Sequence, residues 1–416
     1  MVITKIIDDG VRIVMENIPH VQSVSIGIWV RTGSANENEK TSGISHFIEH
    51  MMFKGTEKRT AKGLAEAADR IGGQMNAFTG KEATCYHIKT LASNVDEACD
   101  ILLDMFLNSV FDKNEMNKER KVIIEEMKMT EDSPDEDAHE TSVMQIFQGS
   151  PLERPIIGTR TSLKGINRAL MMDFRHEQYT KDSIVVSVAG NIDEDHICSI
   201  FEGKFRDFKA KKEKPVFGER NYKPVFRVKT RDIEQSHISI MTPGVSLDSQ
   251  DYYAVTLLSA ILGGSMSSRL FQNIREERGL AYTVFSCGGS YSRTGYFNVY
   301  AGVSHDKVKE TIGAIRDEFE ILAADGVTED ELHMAKQQMK ASNIFGQENI
   351  GSRMMIQGKF MTILDRTFSQ DEFIKNVDAV TTDDIKRVSG LITDMKNYCG
   401  TVVTDKKFDL RGFMQK

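Results

Sequence analysis

Apolar and polar positions change period several times along the chain, and each change marks an element. Residues 11–15 and 24–30 are rich in β-branched side chains with partial alternation, which predicts two strands. From Gly43 the period lengthens. Ile44, Phe47, Ile48 and Met51 recur at helical spacing and predict a helix over 43–53. A second helix over 61–71 stops at Gly72-Gly73. Strands follow at 74–79 and 84–91, then helices at 95–108, 113–130 and 135–147, further helices, and a strand at 184–189.

The second half repeats this order: a strand at 237–241, helices at 252–262 and 267–277, strands at 282–287 and 296–303, and long helices at 307–324 and 329–345. Phe111-Asp112-Lys113-Asn114-Glu115-Met116 resembles Val327-Thr328-Glu329-Asp330-Glu331-Leu332, and each follows an amphipathic helix of similar length. Between the halves, Lys209-Ala210-Lys211-Lys212-Glu213-Lys214-Pro215 interrupts the apolar pattern and reads as a linker. The expectation is an α+β fold of two homologous domains, residues 1–208 and 225–416, joined by a linker at 209–224. Each domain is expected to have an antiparallel-rich sheet with helices packed on one face.

Composition narrows the function. A net charge of −8 argues against nucleic-acid binding, which needs a basic stripe. The five cysteines, Cys85, Cys99, Cys198, Cys287 and Cys399, are widely spaced and form no CxxC pair, so a thiolate zinc site is not indicated and a reducing compartment is. Asp8 and Asp9 break the apolar run at the start, no stretch has the length of a membrane span, and a cytoplasmic protein is expected.

The informative stretch is His46-Phe47-Ile48-Glu49-His50. Residues four apart on a helix share a face, so both imidazoles can reach one ion, and Glu49 lies about 60° round from His46. This is the inverted zincin pattern H-x-x-E-H, suited to zinc with one position left open for water. The alternative is three solvated surface residues. The nearly all-apolar surroundings, Ile44 to Phe53, argue against it, because buried imidazoles and carboxylates need partners. A third protein ligand is required. Glu119 and Glu126 are seven apart and share a face two turns apart on the helix over 113–130.

These residues resemble the pitrilysin-type (M16) zinc metallopeptidases, in their processing-peptidase-like branch. That family follows H-x-x-E-H with a glutamate about 75 residues on, and here 75 residues separate His50 from Glu126. The similarity extends over Gly33-Ser34, the stretch 43–56, Asn76-Ala77-Phe78-Thr79, Gly264, Met266 to Phe271, and Ile274 to Tyr282. The resemblance implies one zinc ion per chain, held by His46, His50 and Glu126. Glu49 would act as the base that takes a proton from water and passes it to the leaving amine. Glu119 would orient a ligand histidine. It further implies that Asn76, Ala77, Phe78 and Thr79 form an edge strand to which a peptide adds. Arg275 and Tyr282 would come from the second domain to the substrate carbonyls. Glu136 and Glu140, four apart, would receive a basic residue near the cut. On residues alone, the strand, the charge run around Arg275 and a core-facing Tyr282 have ordinary structural readings, and the acidic cluster from Asp132 to Glu140 reads equally as a solvated helix start.

No H-x-x-E-H occurs in the second half, where the repeat carries Glu119 onto Ala335 and Glu126 onto Ser342. One domain then does metal chemistry and the other closes over the substrate, as a clamshell. The expected activity is zinc endopeptidase cleavage of short or unfolded peptides in an enclosed chamber. The chain carries both residue sets, so the expected partners are peptide substrates and a second copy in a homodimer, with no nucleic acid or membrane. Two rivals stay open: a non-catalytic assembly subunit, and a zinc-independent peptide-binding module that would leave Glu49 without a role.

Overall fold

The computed structural model describes residues 2–212, 224–394 and 397–407. The first half contains β1 (Val2–Ile7), β2 (Val11–Asn17), β3 (Ser23–Val30), α1 (Ile44–Met52), α2 (Ala61–Arg70), β4 (Gln74–Thr79) and β5 (Thr84–Leu91). It continues with α3 (Val95–Asn108), α4 (Lys113–Asp132), α5 (Pro134–Ile146), α6 (Arg160–Gly165), α7 (Arg168–Gln178), β6 (Ile184–Gly190) and α8 (Glu194–Phe201). The second half contains β7 (Phe226–Thr230), β8 (Ser236–Gly244), α9 (Tyr252–Gly263), β9 (Ala281–Ser290), β10 (Gly295–Val303) and α10 (Val308–Asp325). It ends with α11 (Glu329–Gln347), α12 (Ile350–Leu364), α13 (Gln370–Ala379), α14 (Thr382–Ile392) and β11 (Cys399–Thr404).

The strands form two sheets, ordered β1-β2-β6-β3-β5-β4 and β7-β11-β8-β10-β9. In the first, β2 and β6 run parallel and the other pairs antiparallel. In the second, β7 and β11 run parallel and the rest antiparallel. Leaving β1 aside, the sequence of pairings is the same in both, which is the duplication expected from the element order.

The helices predicted from periodicity are present with small changes at their ends, and one differs in kind. The expected helix 267–277 becomes turns followed by Phe271–Glu277 wound as a π-helix. Strands β1, β7 and β11 and helices α8 and α12 to α14 add to the predicted set. The β1–β2 hairpin turns through Asp8 (φ 47°) and Asp9 (φ 60°), since aspartate tolerates the left-handed region. Its Asp8 carboxylate accepts the Gly203 and Phe205 amides at 2.9 and 2.8 Å. Of the expected linker, residues 213–223 lie outside the described residues.

The compact units do not follow one cut in the chain. The first comprises 1–127, 154–217 and 344–368; the second comprises 128–153, 218–343 and 369–416. Each half lends one helix to the other unit. Helix α5 packs on β8 and β11, and α12 packs on β2, β3 and β6. In the first unit, helices α1, α3, α4, α7 and α8 cover one face of the sheet, in a core that includes Phe47, Tyr86, Phe106, Val186 and Val188. The opposite face, with Val14, Trp29, Cys85 and Val185, is covered by the lent helix α12 through Met354 and Met361.

The fit of α12 is close. Ser187 donates to the Met354 carbonyl at 2.7 Å, and the Gln357 amide bonds the Phe368 backbone in both directions at 3.0 Å. A Cβ at Gly358 would fall inside the envelope of the Trp29 indole nitrogen. Gly358→Ala is therefore expected to cost about 1–3 kcal/mol by overpacking. Urea unfolding of the two proteins checks this. An unchanged midpoint would mean that α12 shifts freely on the sheet.

Candidate metal centre

Helix α1 begins where the chain must turn in a left-handed conformation. Gly43 has φ 86°, and a Cβ there would lie 2.6 Å from the Ile157 carbonyl oxygen. The first turn is capped from outside the helix. Glu37, 4% exposed, accepts the Gly43 amide at 2.7 Å and the Ser45 amide at 2.9 Å. These are amides that no helical carbonyl satisfies. Burial is the leading influence on this carboxyl and pushes its pKa up to about 7. Ile44, Phe47, Ile48, Met51 and Met52 are buried, so α1 is fixed in rotation, with His46, Glu49 and His50 on its remaining face.

Helix α4 is set against it by the same core. Met116, Glu119, Ile123 and Met127 are its buried residues. Arg120 donates to the Leu163 carbonyl at 2.9 Å and to that of Ile166 at 2.5 Å, with its guanidinium 5.5 Å from the centre of the Phe47 ring. Glu119 and Glu126 consequently face α1.

One ligand atom from each of His46, His50 and Glu126 lies within 4.8 Å of the others. His46 Nε2 and His50 Nε2 are 3.3 Å apart. Glu126 Oε2 is 3.5 Å from His50 Nε2 and 4.0 Å from His46 Nε2. Zinc bonds of about 2.0–2.1 Å in a tetrahedron give ligand separations of about 3.3–3.4 Å, so two imidazoles and a carboxylate at these distances fit zinc. His50 Nδ1 lies 3.1 Å from Glu119 Oε2, which fixes the tautomer with Nε2 free to bind. Lys54 Nζ holds the other oxygen of Glu119 at 2.7 Å. Burial, with His50 adding to it, lowers the pKa of His46 to about 4, so the ring is neutral and a competent donor at neutral pH.

Glu49 accepts a hydrogen bond from Thr79 Oγ1, and burial raises its pKa. Thr79 ends β4, the edge strand of its sheet, which pairs only with β5 among the described residues. Asn76, Ala77, Phe78 and Thr79 thus lie on an open edge whose last residue touches Glu49. Glu37, Lys54 and the Thr79–Glu49 contact are absent from the sequence-based expectations. A lone acidic residue ahead of a helix and a lysine one turn after His50 are their only local signals.

The remaining candidates lie in the second unit. Arg275, in the π-helical segment, stacks its guanidinium over the rings of Phe271 at 4.7 Å and Tyr282 at 5.2 Å. Tyr282 is 74% exposed, so its ring does not face the core. Glu136 is exposed on α5, with Glu140 one turn on. Their neighbour Asp137 is instead bound to Lys229 at 2.6 Å and Arg231 at 3.0 Å, a structural cluster.

Comparison with known proteins identifies the family. Residues 12–160 match the family described as insulinase (peptidase family M16), and 165–339 match the peptidase M16 inactive domain. The chain is 40% identical to the uncharacterised zinc protease YmxG of Bacillus subtilis (strain 168), over 92% of this chain and 93% of that protein. It is 36% identical to an uncharacterised zinc protease of Streptomyces coelicolor, over 91% of this chain and 84% of that protein. The crystal structure of a protease from Helicobacter pylori superposes with a TM-score of 0.89 at 21% identity, covering 97% of this chain and 99% of that one, a likeness of fold.

The capping carboxyl carries a pH signature. Glu37 titrates near 4.5 when unfolded and about 7 when folded, so the folded state binds the extra proton between these values. Its contribution is greatest below pH 4.5 and is lost as pH rises towards 7. Relative to Glu37→Gln, the chelated wild-type protein is expected to lose on the order of 2–3 kcal/mol across that window. Parallel stability curves for the two proteins would show that Glu37 stays ionised throughout.

Proposed function

As a member of the M16 family of zinc peptidases, this chain is, we propose, an endopeptidase that hydrolyses short or unfolded peptides in an enclosed chamber. The observation that carries the reading is the convergence of His46, His50 and Glu126 beside a half-buried carboxylate, Glu49, that touches an open strand edge. Bound zinc lowers the pKa of a water towards neutrality and polarises a carbonyl. The chain supplies the rest. A peptide pairs with β4 through main-chain hydrogen bonds, which holds an extended backbone beside α1. Glu49 takes a proton from the attacking water as the new carbon–oxygen bond forms. It then gives that proton to the amine nitrogen as the carbon–nitrogen bond breaks. Glu119 keeps His50 oriented throughout.

Arg275 and Tyr282 are assigned to charge stabilisation at the substrate carbonyls; the support is their stacking on each other and the exposure of Tyr282. Glu136 and Glu140 are assigned to a basic residue near the cut, with arginine favoured for its planar fork. A homodimer in the cytoplasm completes the proposal. Its support is that one chain carries both residue sets, together with five free cysteines. Among the described residues, no helix is long and apolar enough to cross a membrane.

Glu49→Gln is expected to keep zinc and lose about 10²–10⁴-fold or more in kcat. Glu126→Ala is expected to lose both zinc and activity. Metal analysis and a quenched-peptide assay on both variants check this. Activity of Glu49→Gln within tenfold of wild type would remove Glu49 as the base, and full zinc in Glu126→Ala would remove Glu126 as a ligand.

Tyr282→Phe and Arg275→Ala are expected to lower kcat by about 10²-fold with zinc content unchanged, the size expected for loss of a charge-stabilising donor. Metal loss in either variant would contradict the division between the metal-binding and the second unit.

A further inference from the structure

A strand added to the free edge of β4 carries its side chains alternately on the two faces of the sheet. One face meets α1, where Thr79 reaches Glu49. The other carries Gln74, Asn76 and Phe78 and opens on a cavity of about 720 Å³ bounded by β3, β4, β5 and α12, all within the first unit. We propose that this cavity is a side-chain subsite for the peptide on β4. It takes a bulky apolar side chain beside Phe78, with an acidic side chain two residues away. The proposal rests on the peptidase reading for the position of the peptide.

Shape and chemistry select this occupant. Trp29, Phe78, Met354 and Met355 supply apolar walls, and the small residues Gly351 and Ser352 leave the cavity open. Trp29 meets Phe78 edge to face at 5.5 Å, which makes a ready aromatic contact surface. The ionisable groups lining it are His87, Lys89 and Lys359, and no carboxylate lines it. None of the three has an ion pair or hydrogen bond among the described residues. Burial lowers the pKa of His87, so its ring is neutral at neutral pH and the positive charge comes from Lys89 and Lys359. Glu82 acts on Lys359 from outside the lining, and an anion near Lys89 gains attraction. His87 and Lys89 lie opposite Asn76 and Gln74 in the register, one and two same-face steps from Phe78. A peptide residue two along from the one at Phe78 stands level with Asn76, between Phe78 and the Lys89 end of the cavity. The peptide backbone lies two strand spacings, about 10 Å, from that of β5, a distance that the long Lys89 side chain spans towards it.

Trp29 is the single tryptophan of the chain, so its emission reports on this cavity. The zinc-loaded Glu49→Gln protein is titrated with extended peptides bearing phenylalanine and glutamate two apart, or alanine and lysine in their places. Wild-type kcat/KM is measured on the same peptides. The first peptide is expected to bind at least about tenfold tighter, with a saturable shift in Trp29 emission. Ser352→Phe, which fills the cavity, is expected to abolish that preference, and Lys359→Glu to weaken the preference for glutamate. Zinc-dependent hydrolysis by the wild type without any such preference overturns the subsite and leaves the peptidase reading standing. Selective binding without hydrolysis overturns the peptidase reading and leaves the subsite. A Trp29 shift that follows protein concentration without peptide identifies a second copy as the occupant and overturns the proposal.

Discussion

The chemistry of this protein depends on α1 being held in one rotation against α4. The candidate ligands come from two helices, and a zinc site would require a tolerance of a few tenths of an ångström (about 0.2 Å in each metal–ligand distance) around a common point. Buried Phe47, Ile48 and Met51 on α1 and Ile123 and Met127 on α4 lie in one core cluster and leave little freedom. Glu37 and the Gly43 turn fix where α1 begins, and with it the direction of its polar face. Lys54, Glu119 and His50 form a further chain of contacts between the helices. Packing supplies the alignment, and the polar contacts refine it.

That alignment needs an element from the other half of the chain. Val14, Trp29, Cys85 and Val185 lie on the sheet face away from α1, and α12 is what covers them. Without it the first sheet would present an apolar face to water. The second unit takes α5 in return. Duplication with exchange makes each unit depend on both halves of the sequence, so a half chain lacks the cover for one sheet face. In the second half the repeat sets Ala335 and Ser342 against Glu119 and Glu126. Positions 335 and 342 need only be helical, and Ala335 is buried there as an ordinary core residue.

Much of this is legible in the sequence, where spacing alone determines geometry. His46 and His50 four apart and Glu119 and Glu126 seven apart share helix faces whatever the tertiary structure. The strands at 74–79 and 84–91 and the helix at 95–108 have the predicted limits. What cannot be read there depends on contacts between distant segments. The buried stripe of α12 passes through Gln357, Gly358 and Thr362 as well as Met354 and Met361, so it has no clean apolar period. The π-helical winding at Phe271–Glu277 preserves composition while changing direction. The caps and clamps of Glu37 and Lys54 follow from tertiary placement, which local pattern does not encode. The resemblance supplies the role of Glu126; periodicity alone offers Glu119 as an equal candidate.

The two faces of β4 impose a joint condition on any peptide that pairs with it. Side chains alternate with a period of two, so a slip of one residue exchanges every side chain between the faces. The face towards α1 carries the Thr79 contact to Glu49, and the other carries the cavity beside Trp29. A peptide whose bulky residue fits the cavity is thereby held in one of two alternating registers, and the registers that differ by one residue are disfavoured. The cavity need not touch the reacting atoms to influence where the bond breaks. Main-chain pairing is indifferent to sequence, and the charged, apolar far face restores a dependence on it. Selectivity and bond positioning would then be consequences of the same strand, read from its two sides.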